Sequence, residues 1–372
     1  MKKTKTFFSV NLIYFIIMVL FVTLRICSSM NVFSFLGEYE GYVSTFLTQI
    51  VLMVVLPLFL FSKFKKQPVK QTLSDFSIRK ISSKGILISI GIGFVVFILN
   101  IFISTFFSYF LELLGYHNNF ASSATSSSIG SFFLTLLTVA VLPAICEEFT
   151  HRGLLLSEYK KLGLKKAVIL SGLMFGLIHL NINQFFYATI IGMVLAVVTL
   201  YSRSIFPAMI IHFMNNGLNV YFSFAKARGI FGANFYEKLF SFLFGGSMFS
   251  NIITTIISLT LLIYLLCLLM TSLLKINIKT SLKTFTENMA LLAMRQEILS
   301  DISPEEKNVF EPPLIRTQTQ FGERISVKIP YEVLGFYMEP QIKPKGLDNL
   351  FFYSCLILGS LVTLSTFIWG IL

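Results

Sequence analysis

The sequence predicts an all-α fold, a polytopic bundle of about eight or nine transmembrane helices with its N-terminus in the cytoplasm. Three observations carry this reading. The chain has 372 residues, of which 55% are hydrophobic and only 13% charged, whereas soluble domains carry about 25% charged residues. Its apolar residues come in runs near the ~20 residues that a helix needs to cross a bilayer. Its Lys and Arg fall mainly between those runs, where cytoplasmic loops carry them. The net charge of +12 therefore speaks for membrane topology and against a nucleic-acid partner.

Nine runs qualify: Phe7–Cys27, Val43–Phe61, Gly85–Gly115, Ser131–Leu155, Ala167–Ile182, Phe185–Tyr201, Ile205–Phe224, Asn251–Leu274 and Leu350–Leu372. The first follows "MKKTK" but is too long for a signal-peptide core and has no small-x-small cleavage site after it. The third is long enough to tilt or to leave the bilayer. The fifth and sixth are short and share a tight turn at "NINQ". Alternating the spans puts "KFKKQPVK", "RKISSK", "KKLGLKK" and "YSRS" inside, and the Lys- and Arg-free stretches "SSMNVFSFLGEYEGY" and "YHNNFASSATSSSIG" outside. "AKARGIFGANFYEK" breaks the pattern with Lys226, Arg228 and Lys238. Cys27, Cys146, Cys267 and Cys355 have no paired spacing and read as small apolar filler.

The chain divides into two N-terminal helices (1–70), a core of about five helices (71–224), an outside loop with the eighth helix (225–274), a cytoplasmic insert (275–348) and a last helix (349–372). The insert holds ten basic and ten acidic residues. Leu282, Phe285, Met289 and Leu292 give it an apolar helical stripe. "SPEE" from Ser303 reads as a capped helix start. Pro312, Pro313, Pro330, Pro340 and Pro344 break the remainder into extended or turning pieces. No internal repeat of the transporter kind occurs.

Chemistry is concentrated in "CEEFTHRG", Cys146–Gly153. A charge at a helix centre costs about 2.5–3.5 kcal/mol on insertion scales, so an intramembrane carboxylate asks for a function. Glu148 and Arg152 are four apart and form a structural ion pair. Glu147 is left over. "FGLIHLN" adds Phe175 and His179, and "IHFMNN" adds His212 and Asn216. Glu147 and His179 each lie 16 residues from Gly163, so a helical hairpin brings them level. His212 and Asn216 lie nine and 13 residues past Arg203, roughly 14–20 Å of helix. All four can meet in one layer.

No Ser–His–Asp set or Cys–His pair stands at this depth. A carboxylate with an imidazole can activate water, and a His and an Asn on one face can stabilise an oxyanion. The alternative is zinc held by Glu147, His179 and His212 with one open position. The residue types fit both routes.

At these residues the sequence resembles the CPBP intramembrane protease family, which takes in CAAX prenyl endopeptidases and bacterial bacteriocin-processing and immunity ("Abi") proteins. The family pattern EExxxR, FxxxH, HxxxN is met by Glu147, Glu148 and Arg152, by Phe175 and His179, and by His212 and Asn216. The likeness covers roughly Ser74 to Phe224, and His151 stands at a variable position. It implies a site inside the membrane reached from the cytoplasm. Glu147 would activate water with help from His179, and His212 and Asn216 would lie near the scissile carbonyl. The family has been described both as zinc and as glutamate proteases. The glutamate route, which requires no cofactor, is favoured because Asn216 suits a hydrogen-bond donor better than a zinc ligand. The expected partner is a membrane-embedded or lipid-anchored peptide or protein: a prenylated CAAX protein or, preferred here, a leader, pheromone or bacteriocin peptide in a bacterial cytoplasmic membrane. A non-enzymatic immunity or binding protein and a proton-coupled transporter are the competing readings.

Overall fold

A computed structural model describes residues 3–117, 128–299, 314–319, 322–327 and 342–371. The helices are α1 (Lys3–Ser29), α2 (Glu40–Lys65), α3 (Val69–Asp75), α4 (Ser83–Leu113), α5 (Ile129–Leu162), α6 (Leu164–Leu177), α7 (Ile182–Ser202), α8 (Phe206–Arg228), α9 (Phe235–Phe244), α10 (Met248–Leu299) and α11 (Leu350–Ile371). The expected helical bundle is what the chain forms.

Among the described residues, seven helices are long and apolar enough to cross a membrane: α1, α2, α4, α5, α7, α10 and α11. The sequence suggested eight or nine. The two that fall short are α6 and α8, which carry the candidate histidines. At 14 residues, α6 rises only about 21 Å. With 23 residues, α8 is long enough, but His212, Asn215, Asn216 and Asn219 line it at i, i+3, i+4 and i+7, which lowers its hydropathy.

Local chemistry sets the boundaries. Ser82 and Ser128 cap α4 and α5, their hydroxyls accepting from the N–H groups of Gly85 and Ser131 at 3.1 Å. Gly163, at φ 96°, makes the sharp turn between α5 and α6. The turn between α6 and α7 comes earlier than expected. It occupies Ile178–Asn181, with Leu180 at φ 49°, and most of "NINQ" is already helical. Asn181 caps α7 by accepting from Asn183 N–H at 2.9 Å.

Two apolar cores result. One gathers α1, α2, α5, α6 and α11 around Tyr14, Phe61, Phe149, Tyr159 and Phe352. The other gathers α4, α7, α8 and α10 around Ile92, Leu195, Ile211 and Leu273. The predicted inside loops meet at one end. Ser204 Oγ donates to Arg79 O at 2.5 Å, Ile205 N–H donates to Ser77 O at 3.2 Å, and Ile342 N–H donates to Lys161 O at 3.2 Å. Burial and neighbouring Arg79 push the Arg203 guanidinium down from its ordinary pKa. At the other end, Lys226 pairs with Glu237 of α9 at 3.1 Å, which offsets one of the charges that broke the loop pattern.

The boundary at Lys275 is not a break, because α10 runs through it to Leu299. Beyond lies a two-stranded antiparallel hairpin, β1 (Leu314–Thr319) and β2 (Gly322–Val327). The Ser303 helix start lies outside the described residues, and so do Pro312, Pro313, Pro330, Pro340 and the side chains of the Leu282–Leu292 stripe.

Candidate active site

Between the two cores, α5 carries a buried charged cluster. Glu148 is 0% exposed and Arg152 1%. Glu148 Oε2 lies 3.1 Å from Arg152 Nε, the i,i+4 pair that the spacing predicts. The same carboxylate does more, since its Oε1 accepts Nδ1–H of His212 at 2.9 Å. Arg152 Nη2–H donates to Gly192 O of α7 at 3.0 Å. One ion pair thus ties α5 to α7 and α8.

The helix here is not regular. Residues Leu136–Val141 and Phe149–Leu155 of α5, and Leu47–Val55 of α2, wind as π-helix. Such wide turns are rare and collect at functional sites. All three border this cluster. The first supplies the Val139 carbonyl, which accepts from Asn216 Nδ2 at 3.0 Å. The second supplies Thr150, His151 and Arg152. The third supplies Gln49, whose Nε2–H donates to Glu147 Oε1 at 2.8 Å.

Phe175 is the hub of the imidazoles. Its ring stands edge-to-face with His151 (4.9 Å between centroids), His179 (5.1 Å) and His212 (5.7 Å). The Arg152 guanidinium sits over it at 4.6 Å. Each edge-to-face pair contributes about 0.5–1.5 kcal/mol beyond its buried area. Phe175 reaches this place because α6 and α7 approach closely through Gly172, Gly176 and Gly192. A Cβ on Gly176 would meet Thr189 Oγ1 and would lie 2.7 Å from Phe185 O. A Cβ on Gly192 would lie 3.0 Å from Phe175 Cβ. Small residues four apart allow such contact between membrane helices.

Hydrogen bonds fix the ring tautomers. A carbonyl only accepts, so His179 Nδ1–H donates to Phe175 O at 2.7 Å and His151 Nδ1–H donates to Glu147 O at 2.7 Å. His212 uses Nδ1 on Glu148. His179 and His212 therefore each keep Nε2 available. Glu147 is close enough to His179 for a direct electrostatic interaction. Its Oε2 is buried and makes no hydrogen bond among the described residues.

The turn that presents His179 is held from three sides. Arg25 Nη1–H of α1 donates to Leu180 O at 3.1 Å, Thr366 Oγ1 of α11 accepts Ile182 N–H at 3.0 Å, and Asn183 Nδ2–H donates to the Tyr116 hydroxyl oxygen at 2.7 Å. Helices outside the 71–224 core thus shape it.

Of the predicted residues, His179 and His212 meet on Phe175, Glu147 interacts electrostatically with His179 and Asn216 is held against Val139 O; the motif reading missed several neighbours. Gln49 touches Glu147. The Tyr14 hydroxyl lies 2.8 Å from His151 Nε2 and 2.9 Å from Met174 O. Asn100 Nδ2–H donates to Asn215 Oδ1 at 3.0 Å, and Asn215 Nδ2–H to Asn216 Oδ1 at 2.9 Å. A signal for these existed: Gln49 and Asn100 each interrupt an apolar run. Asn216 also differs from expectation, because one amide N–H is committed to Val139 O and its oxygen to Asn215. Its second amide N–H is the one left for an oxyanion. For zinc, the two Nε2 atoms are suitable donors. However, no three His, Cys, Asp or Glu among the described residues are grouped so that they could hold a metal ion.

Comparison with known proteins agrees with the motif positions. Residues 129–218 match the family model described as type II CAAX prenyl endopeptidase Rce1-like, and that stretch contains every residue of the three motifs. No curated protein and no solved structure matches the chain. Over residues 129–218, which hold all three motifs, this membrane chain is similar to the type II CAAX prenyl endopeptidases, in agreement with the CPBP resemblance of the motifs.

Proposed function

We propose that the protein is an intramembrane endopeptidase in which Glu147 and His179 activate a water molecule to cut a peptide bond. The observation that carries this is the buried Glu147 carboxylate, which interacts electrostatically with His179. The carboxylate oxygen Oε2 of Glu147 is buried with no partner among the described residues. In the neutral His179 ring Nδ1 carries the proton, donated to Phe175 O, and Nε2 is the acceptor. Together they would offer two acceptors to one water.

Glu147 would remove a proton as the water oxygen attacks the carbonyl carbon. The second amide N–H of Asn216 would donate to the resulting oxyanion, since preorganised donors act where charge develops, with His212 one turn away on the same helix. Glu147 would then return the proton to the departing amine, which breaks the C–N bond and leaves a carboxylic acid and a free amine. Glu148 and Arg152 do no chemistry in this scheme. They hold His212 and α7 in place.

The substrate is a peptide or protein already in or on the membrane. The family name points to prenylated CAAX ends, and a bacterial leader, pheromone or bacteriocin peptide in a cytoplasmic membrane is the alternative favoured here. A comparison of the membrane peptidomes of cells carrying wild-type protein and Glu147→Gln tests the reading. Peptides with a new terminus should be present only with the wild type. Identical peptidomes would leave a binding or immunity role as the better account.

A further inference from the structure

We infer that Gln49 is a positioning residue for Glu147. Its amide fixes one carboxylate oxygen so that the other serves as the base. This rests on the endopeptidase reading above and adds a residue from α2, outside the stretch matched by the family.

The Gln49 side chain is 7% exposed, and its Nε2–H donates to Glu147 Oε1 at 2.8 Å. A carboxylate only accepts, so the orientation of the amide is fixed by its partner. Glu147 Oε2 is left buried and unbonded among the described residues. A carboxylate free to rotate would exchange its two oxygens, whereas the amide bond tells them apart. The backbone of residue 147 is held as well, through His151 Nδ1–H on its carbonyl at 2.7 Å.

The placement of Gln49 is itself built. Both α2 and α5 change to π-helix beside this contact, at Leu47–Val55 and Phe149–Leu155. Four residues after Gln49, the Met53 carbonyl accepts the hydroxyl of Thr150, three residues after Glu147. The two helices are thus pinned together one turn beyond the Gln49–Glu147 contact. An amide in the middle of an apolar span is costly unless it is partnered, and the carboxylate is the partner that Gln49 has.

Two measurements test this. The first is infrared difference spectroscopy of the purified protein, with the Glu147 carboxylate band assigned as the one lost in Glu147→Gln. Gln49→Met, similar in length but without an N–H, should shift that band. Gln49→His, which keeps a donor, should restore it in part. The second follows the release of Glu147-dependent peptides from membranes. It should fall roughly 10- to 100-fold in Gln49→Met, the size expected for one hydrogen bond to a charged group, and recover in Gln49→His. Gln49→Leu, also without a donor, replaces Gln49→Met if the latter does not fold. An unshifted band would overturn the inference, and so would a shifted band with wild-type release. If no peptide depends on Glu147 at all, the endopeptidase reading itself fails, and that result is visible before any Gln49 variant is compared.

Discussion

Glu148 holds His212, from a helix 64 residues further along the chain, by a 2.9 Å hydrogen bond from the ring Nδ1–H. The adjacent Glu147 makes no such link to α8. Two neighbouring glutamates therefore have different tasks. Glu148 faces its cationic partner Arg152 and is fully buried. Glu147 keeps an oxygen without a bond among the described residues. This separation follows from their ~100° offset around the helix, together with the π-turn that begins at Phe149.

Breaking the buried pair should unfold the centre of the bundle. Glu148→Gln strands the Arg152 charge, and Arg152→Met strands the Glu148 charge. Each should lower stability by about 3–5 kcal/mol. The double variant should lose much less than the sum, because no lone charge remains. Thermal unfolding in detergent measures all three. Additive losses would mean that the pair is not coupled.

Gly176→Ala tests the close approach of α6 and α7. The new methyl would meet Thr189 Oγ1 and Phe185 O, so the helices must part. Overpacking of this kind costs about 1–3 kcal/mol. Phe175 and His179 sit on the displaced element, and peptide release should fall more than stability does. Gly130→Ala, with open space around its position, should change neither.

How much of this was legible in the sequence depended on the kind of order involved. The run lengths and loop charges gave the bundle, and three short motifs singled out Glu147, His179, His212 and Asn216. Spacing also gave the Glu148–Arg152 pair, because i,i+4 geometry is local. The π-turns were not legible, since they come from packing between helices and carry no period of their own. Gln49 and Tyr14 were missed because they approach from α2 and α1, outside the motif core. Gln49 does interrupt an apolar run, but its partner, like that of Tyr14, is set by tertiary packing. The early end of α6 was hidden by the apolar residues that continue through the turn at Ile178 and Leu180.

Tyr14→Phe probes that contribution from α1. Its hydroxyl has one proton for His151 Nε2 and Met174 O, and Met174 O also accepts from Ile178 N–H at 3.1 Å. Loss of the hydroxyl therefore falls on His151, a fully buried ring. A stability loss of about 1–3 kcal/mol follows from one unsatisfied buried group. Peptide release should drop modestly. A variant as stable as the wild type would show that the contact is incidental.

Chelation separates the two chemical routes. Treating the purified protein with a strong zinc chelator should leave its rate of cleavage unchanged. A loss that added zinc restores would assign the site to metal chemistry.

The central claim is that Glu147 is the group that activates water, and the most direct test is Glu147→Gln in purified, lipid-reconstituted protein. The substitution keeps the size of the side chain and an acceptor for Gln49 N–H, so the melting temperature should match that of the wild type. Cleavage of a peptide that the wild type cuts should fall by about 10²–10⁴-fold. A folded Glu147→Gln protein that cuts this peptide at the wild-type rate would contradict the account.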